Sequence, residues 1–218
     1  MIKAVIFDAG DVVYYRDEVT LKPMLDFLRK NGFNISAKAF LKAYDANSLA
    51  LYKGKVSKDD NLKNVLKFLK IRFNEQFFDK FAKIFRKSFS DIKIKENVYE
   101  IFERIKSKGM KIAVLTDTFS SEEKKWEWFK SIDVAQFIDI IVCSSVTGFT
   151  KDKKEAYTIT LQKLNLKPKE AIFVGHKKYE MTGAKLANVK SVSLEKDAGA
   201  DYYVSYISNI LNLIYKLN

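Results

Sequence analysis

The sequence predicts an α/β fold in which a Rossmann-like parallel sheet core carries an inserted all-helical cap domain. Three features of the chain support this prediction. A short, β-branched apolar run at residues 2–7 ends in an acidic loop, as a buried strand does. Residues 23–89 then show only helical patterns, whereas strand-like and helix-like segments alternate from residue 96 onward. Such alternation is typical of a parallel sheet covered by helices on both faces.

The helical stretch is divided by its own start and stop signals. The start signals are Pro23, Ser36, Ser57 and Asn74. Gly32 indicates a stop. The last predicted helix carries phenylalanines at four-residue spacing between residues 77 and 89, with lysines on its other side. An aromatic stripe of this period predicts a packing face, not a ligand site.

The second half of the chain supplies the rest of the predicted sheet. The predicted strands are residues 111–115, 137–143, 171–174, 191–194 and 202–204. The predicted helices are residues 96–108, 121–129, 153–164, 180–187 and 207–217. We therefore expect an α/β core domain at residues 1–15 and 93–218 and a helical cap domain at residues 16–92.

The charge balance is strongly basic, with a formal net charge of +12. A basic chain suggests contact with phosphates. However, only five of the 39 basic residues are Arg, and the lysines are scattered over nearly every predicted element. Scattered lysines are typical of a solvated surface, whereas base-reading surfaces favour Arg. Nucleic acid is therefore not expected as a partner.

The number of cysteines and the N-terminal sequence indicate the cellular compartment to expect for the protein. Cys143 is the only cysteine, so an internal disulfide is excluded. The sequence begins without the basic and then apolar leader of a secreted protein, and no apolar run reaches membrane-spanning length. We therefore expect a cytoplasmic protein with no membrane partner.

Candidate functional residues follow the predicted strands. In parallel sheets, ligands bind beyond the carboxyl ends of the strands. The polar residues at these positions are Asp8 in FDAGDVV, Thr116 in IAVLTDT, Lys151 in GFTKDKKEAY, and His176 with Glu180 in FVGHKKYEMTGAK. Because the strand ends meet at one edge of the sheet, we expect these side chains to lie close together.

With these segments in this order, nearly the whole chain resembles the haloacid dehalogenase-like (HAD) superfamily of hydrolases with a helical cap after the first strand. The resemblance implies that Asp8 is the nucleophile, since an ionised carboxylate can form a covalent intermediate. It implies that Thr116 donates a hydrogen bond to the bound phosphoryl or carboxylate group. It also implies that Lys151 neutralises the nucleophile and the developing charge.

Three further residues are candidates for binding the substrate. Asp117 follows Thr116 directly, and Arg16 follows the nucleophile loop closely enough to line a cleft. Lys177 stands next to His176 and offers a positive charge. The expected partner is a small-molecule substrate, either a phosphate ester or another small acid.

The chain departs from the family pattern in the nucleophile loop. The family often places a second Asp two residues after the nucleophile, where it protonates the leaving group. Here that position is Gly10, and Asp11 follows it. General-acid help matters less when the leaving group is acidic or activated.

The metal motif departs further. The resemblance implies Mg²⁺ held by Asp8, the carbonyl of Gly10, and the acids of the last motif. His176 takes the position of the first of these acids, while Glu180 keeps the second. Imidazole is a poor replacement for the oxygen ligands that Mg²⁺ prefers. The cofactor is thus Mg²⁺, a softer metal such as Mn²⁺ or Zn²⁺, or none.

The leading functional hypothesis is a phosphatase-type HAD-like hydrolase that acts through an aspartyl intermediate on a small soluble substrate, with a degenerate metal motif. Two alternatives stay open. One is a metal-free enzyme similar to the 2-haloacid dehalogenases. The other is a catalytically silent HAD-fold protein with a binding or regulatory role. A monomer and a homodimer are equally compatible with the sequence.

Overall fold

The computed structural model describes residues 1–217, which divide into two compact units. One unit combines Met1–Tyr15 with the chain from Ile94 onward, and the other is Arg16–Lys93. The second unit is therefore an insertion into the first. Over the described residues, no helix has both the length and the apolar character needed to cross a membrane.

The elements alternate as the sequence predicts after the insertion. The strands are β1 (Ala4–Phe7), β2 (Tyr14–Tyr15), β3 (Lys93–Ile94), β4 (Lys111–Thr116), β5 (Ile140–Cys143), β6 (Ala171–Gly175), β7 (Lys190–Ser193) and β8 (Tyr202–Tyr203). The helices are α1 (Lys22–Lys30), α2 (Ala37–Tyr52), α3 (Lys58–Phe68), α4 (Glu75–Ser88), α5 (Val98–Ser107), α6 (Glu122–Ser131), α7 (Ser144–Thr147), α8 (Lys154–Leu164), α9 (Lys178–Leu186) and α10 (Ile210–Leu217).

The first unit is built on a six-stranded parallel sheet in the order β5-β4-β1-β6-β7-β8. This confirms the predicted α/β fold with a parallel sheet. The strand β1 lies at the centre and all four of its residues are buried. Helices cover the sheet, and the ring of Phe7 packs 4.9 Å from that of Phe102 on α5. Burial on both faces explains why the predicted strands read as unbroken apolar runs.

Two segments of this unit differ from the prediction. The strand expected at residues 137–143 begins only at Ile140, because Ala135–Phe137 forms a 3-10 turn. The helix expected at residues 207–217 likewise opens with a 3-10 turn at Ile207–Asn209. Both turns carry apolar residues, and periodicity alone does not distinguish a tight turn from a regular element.

The helical unit begins its helices where the sequence indicates. The side chains of Ser36, Ser57 and Asn74 accept hydrogen bonds from the first-turn N–H groups of α2, α3 and α4. The aromatic stripe of α4 packs inward as predicted. Phe81 is fully buried, and its ring lies 6.1 Å from that of Phe27 on α1.

Candidate active site

The predicted nucleophile stands at the carboxyl end of the central strand. Asp8 follows β1 directly, and its backbone N–H donates to the carbonyl of Val174 on β6 (2.8 Å). Phe7 is paired with Val114 on β4, so Thr116 and Asp8 leave neighbouring strands at the same edge of the sheet. Both residues are buried.

A buried ion-pair cluster surrounds this carboxylate. The ammonium of Lys151 contacts Asp8 Oδ1, and it also lies 2.7 Å from Glu180 Oε1. The exposed fractions of the three side chains are 2% for Lys151, 6% for Asp8 and 0% for Glu180. Three residues separated by up to 172 positions in sequence therefore form one charged centre, as the sequence predicts for strand exits.

Each charge in the cluster depends on the others. Burial tends to raise the pKa of Asp8, but Lys151 and His176 outweigh it and hold that pKa well below its usual range. Burial tends to lower the pKa of Lys151, but the charges of Asp8 and Glu180 raise it well above the usual value. Asp8 is thus an ionised carboxylate and Lys151 an ammonium at neutral pH.

Glu180 is held by the start of its own helix. Its Oε2 accepts hydrogen bonds from the backbone N–H groups of His176 (3.0 Å) and Lys177 (3.1 Å). The hydroxyl of Tyr157 on α8 donates to the Glu180 carbonyl (2.7 Å). A carboxylate that caps α9 and pairs with Lys151 is fixed in place. Glu180 therefore orients the lysine.

His176 lies against the other oxygen of the Asp8 carboxylate. Its Nδ1 is 3.3 Å from Asp8 Oδ2 and 3.9 Å from Glu180 Oε2. Burial tends to lower the pKa of His176, but the contact with Asp8 outweighs it, so the pKa lies above its usual value. The imidazole is the most exposed of these four side chains, at 16%.

A second set of contacts fixes the backbone of Lys151. Asp117 Oδ1 accepts a hydrogen bond from the Lys151 N–H (3.0 Å), and Oδ2 accepts one from the hydroxyl of Tyr179 (3.1 Å). Burial raises the pKa of Asp117 and that of Tyr179. Asp117 thus binds two groups of the protein, and its role toward a substrate stays a prediction.

Two glycines allow the elements of the site to approach closely. A Cβ at Gly183 on α9 would lie 2.0 Å from the Lys151 carbonyl oxygen. A Cβ at Gly175 would lie 2.6 Å from Glu180 Oε2. Sequence reasoning did not assign these residues a function. The sequence does contain a signal at Gly183, which is a glycine within a predicted helix. Such a glycine destabilises the helix by about 1 kcal/mol relative to alanine, so its presence indicates close packing.

The remaining predicted residues are placed as follows. Gly10 lies in the loop between Asp8 and β2. Lys177 stands just before α9, where its N–H binds Glu180. Arg16 belongs to the helical unit, where its Nε donates to the Phe89 carbonyl (2.8 Å) and its guanidinium lies 4.0 Å from the centre of the Phe89 ring. Both of these contacts are with a residue of the same unit.

The first unit has a hollow beside the ion-pair cluster, with a volume of about 520 Å³. His176 lines it, together with Asp11 from the nucleophile loop. Lys95, Glu195 and Tyr206 contribute charged and polar groups to its walls. His176 therefore lies between the hollow and Asp8, with its Nδ1 toward the carboxylate.

The donors available at Asp8 can be compared with the needs of Mg²⁺. Asp8, His176 and Glu180 can each place one ligand atom within 4.8 Å of the others. However, both carboxylates already contact the Lys151 ammonium, and the third group is an imidazole. Mg²⁺ needs near-octahedral oxygen coordination, so these residues do not fit it. Mn²⁺ and Zn²⁺ accept imidazole more readily, but the Lys151 ammonium would repel them as it would repel Mg²⁺.

The chain is similar to known hydrolases. Residues 5–194 match the model of the family described as haloacid dehalogenase-like hydrolase. The "Putative pyrophosphatase PpaX" of Caldanaerobacter subterraneus subsp. tengcongensis is 25% identical over 98% of this chain and 94% of that protein. Glyceraldehyde 3-phosphate phosphatase of Pyrococcus furiosus is 27% identical over 53% of this chain and 52% of its own length. The crystal structure of a "putative beta-phosphoglucomutase" from Thermotoga maritima has a TM-score of 0.74 at 21% identity over the whole of both chains, a likeness of fold.

Proposed function

Because the chain belongs to the haloacid dehalogenase-like hydrolase family, we propose that it is a phosphatase-type enzyme in which Asp8 attacks the phosphorus of a small phosphate ester. The observation that carries the proposal is the buried Asp8 carboxylate in contact with the Lys151 ammonium at the end of β1. Relatives named as a pyrophosphatase and a sugar-phosphate phosphatase support phosphate over other small acids as the group transferred.

The proposed reaction has two displacements at phosphorus. In the first, an oxygen of Asp8 bonds to phosphorus while the bond from phosphorus to the leaving oxygen breaks, and the leaving group takes a proton from solvent. This yields an aspartyl phosphate. In the second, water attacks phosphorus and the bond to Asp8 breaks. The carboxylate is regenerated, inorganic phosphate keeps the oxygen of the water, and one proton of the water is released to solvent.

Lys151 makes the first displacement feasible. Two unit charges 4 Å apart repel by about 4 kcal/mol at an effective dielectric near 20, and a phosphate dianion brings two such charges toward Asp8. The ammonium of Lys151 is fixed beside this carboxylate by Glu180 and by the Asp117 contact to its backbone. Because the charge is already in place, it offsets the repulsion without rearrangement. Thr116 supplies a hydroxyl at the neighbouring strand end for the phosphoryl oxygens.

The nucleophile loop favours leaving groups that depart as stable anions. Gly10 stands where the family often has the acid that protonates the leaving oxygen, and glycine has no group to donate. We therefore propose phosphoanhydrides and phosphate esters of acidic alcohols as the preferred substrate class. As part of the same proposal, the helical unit acts as the cap that selects the substrate. Arg16 of that unit and Lys177 of the first unit are the proposed cationic contacts to the substrate.

The proposal is tested by trapping the intermediate. The wild-type enzyme should hydrolyse p-nitrophenyl phosphate, and rapid acid quench should leave one phosphoryl group on the peptide that contains Asp8. Asp8→Asn should abolish both signals. Asp133→Asn is the control because Asp133 is an exposed carboxylate of the same unit that does not line the hollow beside Asp8, and it should keep both.

Two results would contradict the proposal. One is phosphate release by Asp8→Asn at the wild-type rate. The other is release of halide from 2-haloacids by a wild-type enzyme that leaves every phosphate compound intact, which would instead support the dehalogenase alternative. Binding of phosphate compounds without turnover of any of them would favour the catalytically silent alternative.

A further inference from the structure

We propose that the site at Asp8 excludes divalent cations and that Lys151 and His176 occupy the positions around the carboxylates that a bound cation would need. This inference rests on the proposed function for its catalytic consequence, which is hydrolysis without a divalent cation. The exclusion of the cation itself is a binding property and is measured without turnover.

The first support is that three of the four carboxylate oxygens of the cluster already contact nitrogen donors of the protein. Lys151 Nζ contacts Asp8 Oδ1 and lies 2.7 Å from Glu180 Oε1. Glu180 Oε2 accepts two backbone N–H groups at the start of α9. Asp8 Oδ2 faces His176 Nδ1 at 3.3 Å. A cation that needs several hard oxygen ligands would have to displace one of these contacts.

The second support is the chemistry of the third group. His176 offers one nitrogen in place of two carboxylate oxygens, and it brings no negative charge. Its Nδ1 and Asp8 Oδ2 would be the two side-chain atoms left to share one cation. Structural and catalytic sites for zinc use at least three protein ligands. Together with the Gly10 carbonyl these two atoms would give three protein ligands, only one of them charged, and the fixed ammonium of Lys151 beside them makes a weak site for any divalent ion.

The third support is the burial of Lys151. Its side chain is 2% exposed and its carbonyl oxygen approaches α9 so closely that position 183 admits only glycine. The Asp117 hydrogen bond fixes its N–H as well. Moving the ammonium into solvent to make room for a metal would therefore break packed contacts of the buried Lys151 side chain.

The experiment measures cation binding directly. Mn²⁺ is titrated into wild-type protein and followed by the loss of its electron paramagnetic resonance signal, and Mg²⁺ and Zn²⁺ are titrated by calorimetry. We expect no saturable binding of any of the three ions at the site. His176→Asp restores a carboxylate beside Asp8 Oδ2 and should bind Mn²⁺ at least ~10-fold more tightly than the wild type. His176→Asn is the matched control, because asparagine has the size of aspartate but no charge. This variant should bind Mn²⁺ no more tightly than the wild type.

A stability measurement guards against a misfolded variant. Without metal, His176→Asp places another carboxylate against Asp8 and Glu180, and the like charges repel. Its melting temperature should therefore be lower than that of the wild type and should rise when Mg²⁺ is added. The melting temperatures of the wild type and of His176→Asn should not change with Mg²⁺. Circular dichroism of each protein shows whether it is folded.

The outcomes separate this inference from the proposed function. Saturable binding of Mg²⁺, Mn²⁺ or Zn²⁺ to the wild type that is lost in Asp8→Asn would overturn the inference. So would a folded His176→Asp that binds Mn²⁺ no better than the wild type. Undiminished p-nitrophenyl phosphate hydrolysis in a chelator would support it. A wild type that excludes all three ions and also lacks phosphatase activity would refute the proposed function and support the exclusion of cations.

Discussion

Gly183 lies so close to Lys151 that a Cβ on the glycine would be 2.0 Å from the lysine carbonyl oxygen. The nearest obstacle is a backbone atom, which cannot rotate away as a side-chain atom can. Gly183 thus sets the distance between α9, which carries Glu180, and the loop that carries Lys151. Glycine has a hydrogen atom where alanine has a methyl group, so α9 and the loop can approach closely. This close approach keeps Lys151 and Glu180 in contact.

Gly183→Ala should therefore destabilise the protein. Helix propensity favours alanine over glycine by about 1 kcal/mol, but the overpacking should cost about 1–3 kcal/mol or more. We expect the net change in the free energy of unfolding, measured with urea, to be a loss. Thr182→Ala is the control, because Thr182 is exposed on the same helix. A Gly183→Ala protein as stable as the wild type would contradict the close approach.

Tyr179 should act as a positioning residue for Lys151 through Asp117. Tyr179→Phe removes the hydroxyl that donates to Asp117 Oδ2, and a hydrogen bond to a charged group contributes about 1.5–3 kcal/mol. We expect kcat for p-nitrophenyl phosphate to fall by roughly 10-fold with little change in KM. Tyr203→Phe, at an exposed site, should leave both parameters unchanged. A change confined to thermal stability would indicate a merely structural role.

Cys143 should be unreactive in the folded protein. It is 1% exposed, and burial raises the pKa of its thiol to about 11. Since the thiolate is the nucleophile, the raised pKa alone should slow its reaction with a disulfide reagent at pH 8 by about 100-fold. The rate in urea, where the thiol is exposed, is the reference. Equal rates in folded and unfolded protein would show that the thiol is accessible.

The aromatic face of α4 should dominate the stability of the helical unit. Phe81 is fully buried, whereas Phe68 at the end of α3 is 60% exposed. Phe81→Ala should lower the free energy of unfolding by about 3–5 kcal/mol, and Phe68→Ala should change it by about 0.5 kcal/mol or less. Loss of helical circular dichroism in urea gives both values. Similar losses for the two variants would refute the packing interpretation.

The ion pair of Asp17 and Lys93 should make the helical unit sensitive to acid. The two residues lie at its two ends in sequence, and their side chains are 2.7 Å apart. The hydrogen bond from Lys93, together with N–H groups of the following turn, lowers the pKa of Asp17. A lowered pKa stabilises the folded state above the ordinary Asp value near 4, and this contribution is lost as the pH falls further.

Asp17→Asn should therefore be less stable than the wild type at pH 7. Both partners are about one-third exposed, so solvent screening limits the difference to about 0.5–1 kcal/mol. Urea unfolding at several pH values should show the difference shrinking below pH 4. A difference that persists at the lowest pH would mean that the charge is not its cause.

Much of the fold was accessible to sequence reasoning because its signals are local. Ser36, Ser57 and Asn74 each cap a helix that the sequence predicts to start there. The buried strands appear as apolar runs that end in polar residues, so Asp8, Lys151 and Glu180 were expected at one edge of the sheet and lie there together. Their roles in a reaction remain predictions.

Other features depend on how distant segments approach each other. Tyr179 is one aromatic residue in a helix, and no local pattern shows that its hydroxyl reaches Asp117, 62 positions earlier. The place of β1 at the centre of the sheet is a property of topology, not of its own residues. The contact of the Lys151 ammonium with both Asp8 and Glu180 could be seen only once distances were known.

The central position of β1 has a consequence for how the chain matures on the ribosome. Both partners of β1, the strands β4 and β6, are synthesised more than 100 residues after it. The inserted helices emerge earlier and have mostly local contacts, which form quickly. We expect β1 to stay unpaired while the helices fold, and the Asp8 carboxylate to contact Lys151 and Glu180 only after the segment that carries Glu180 has been synthesised.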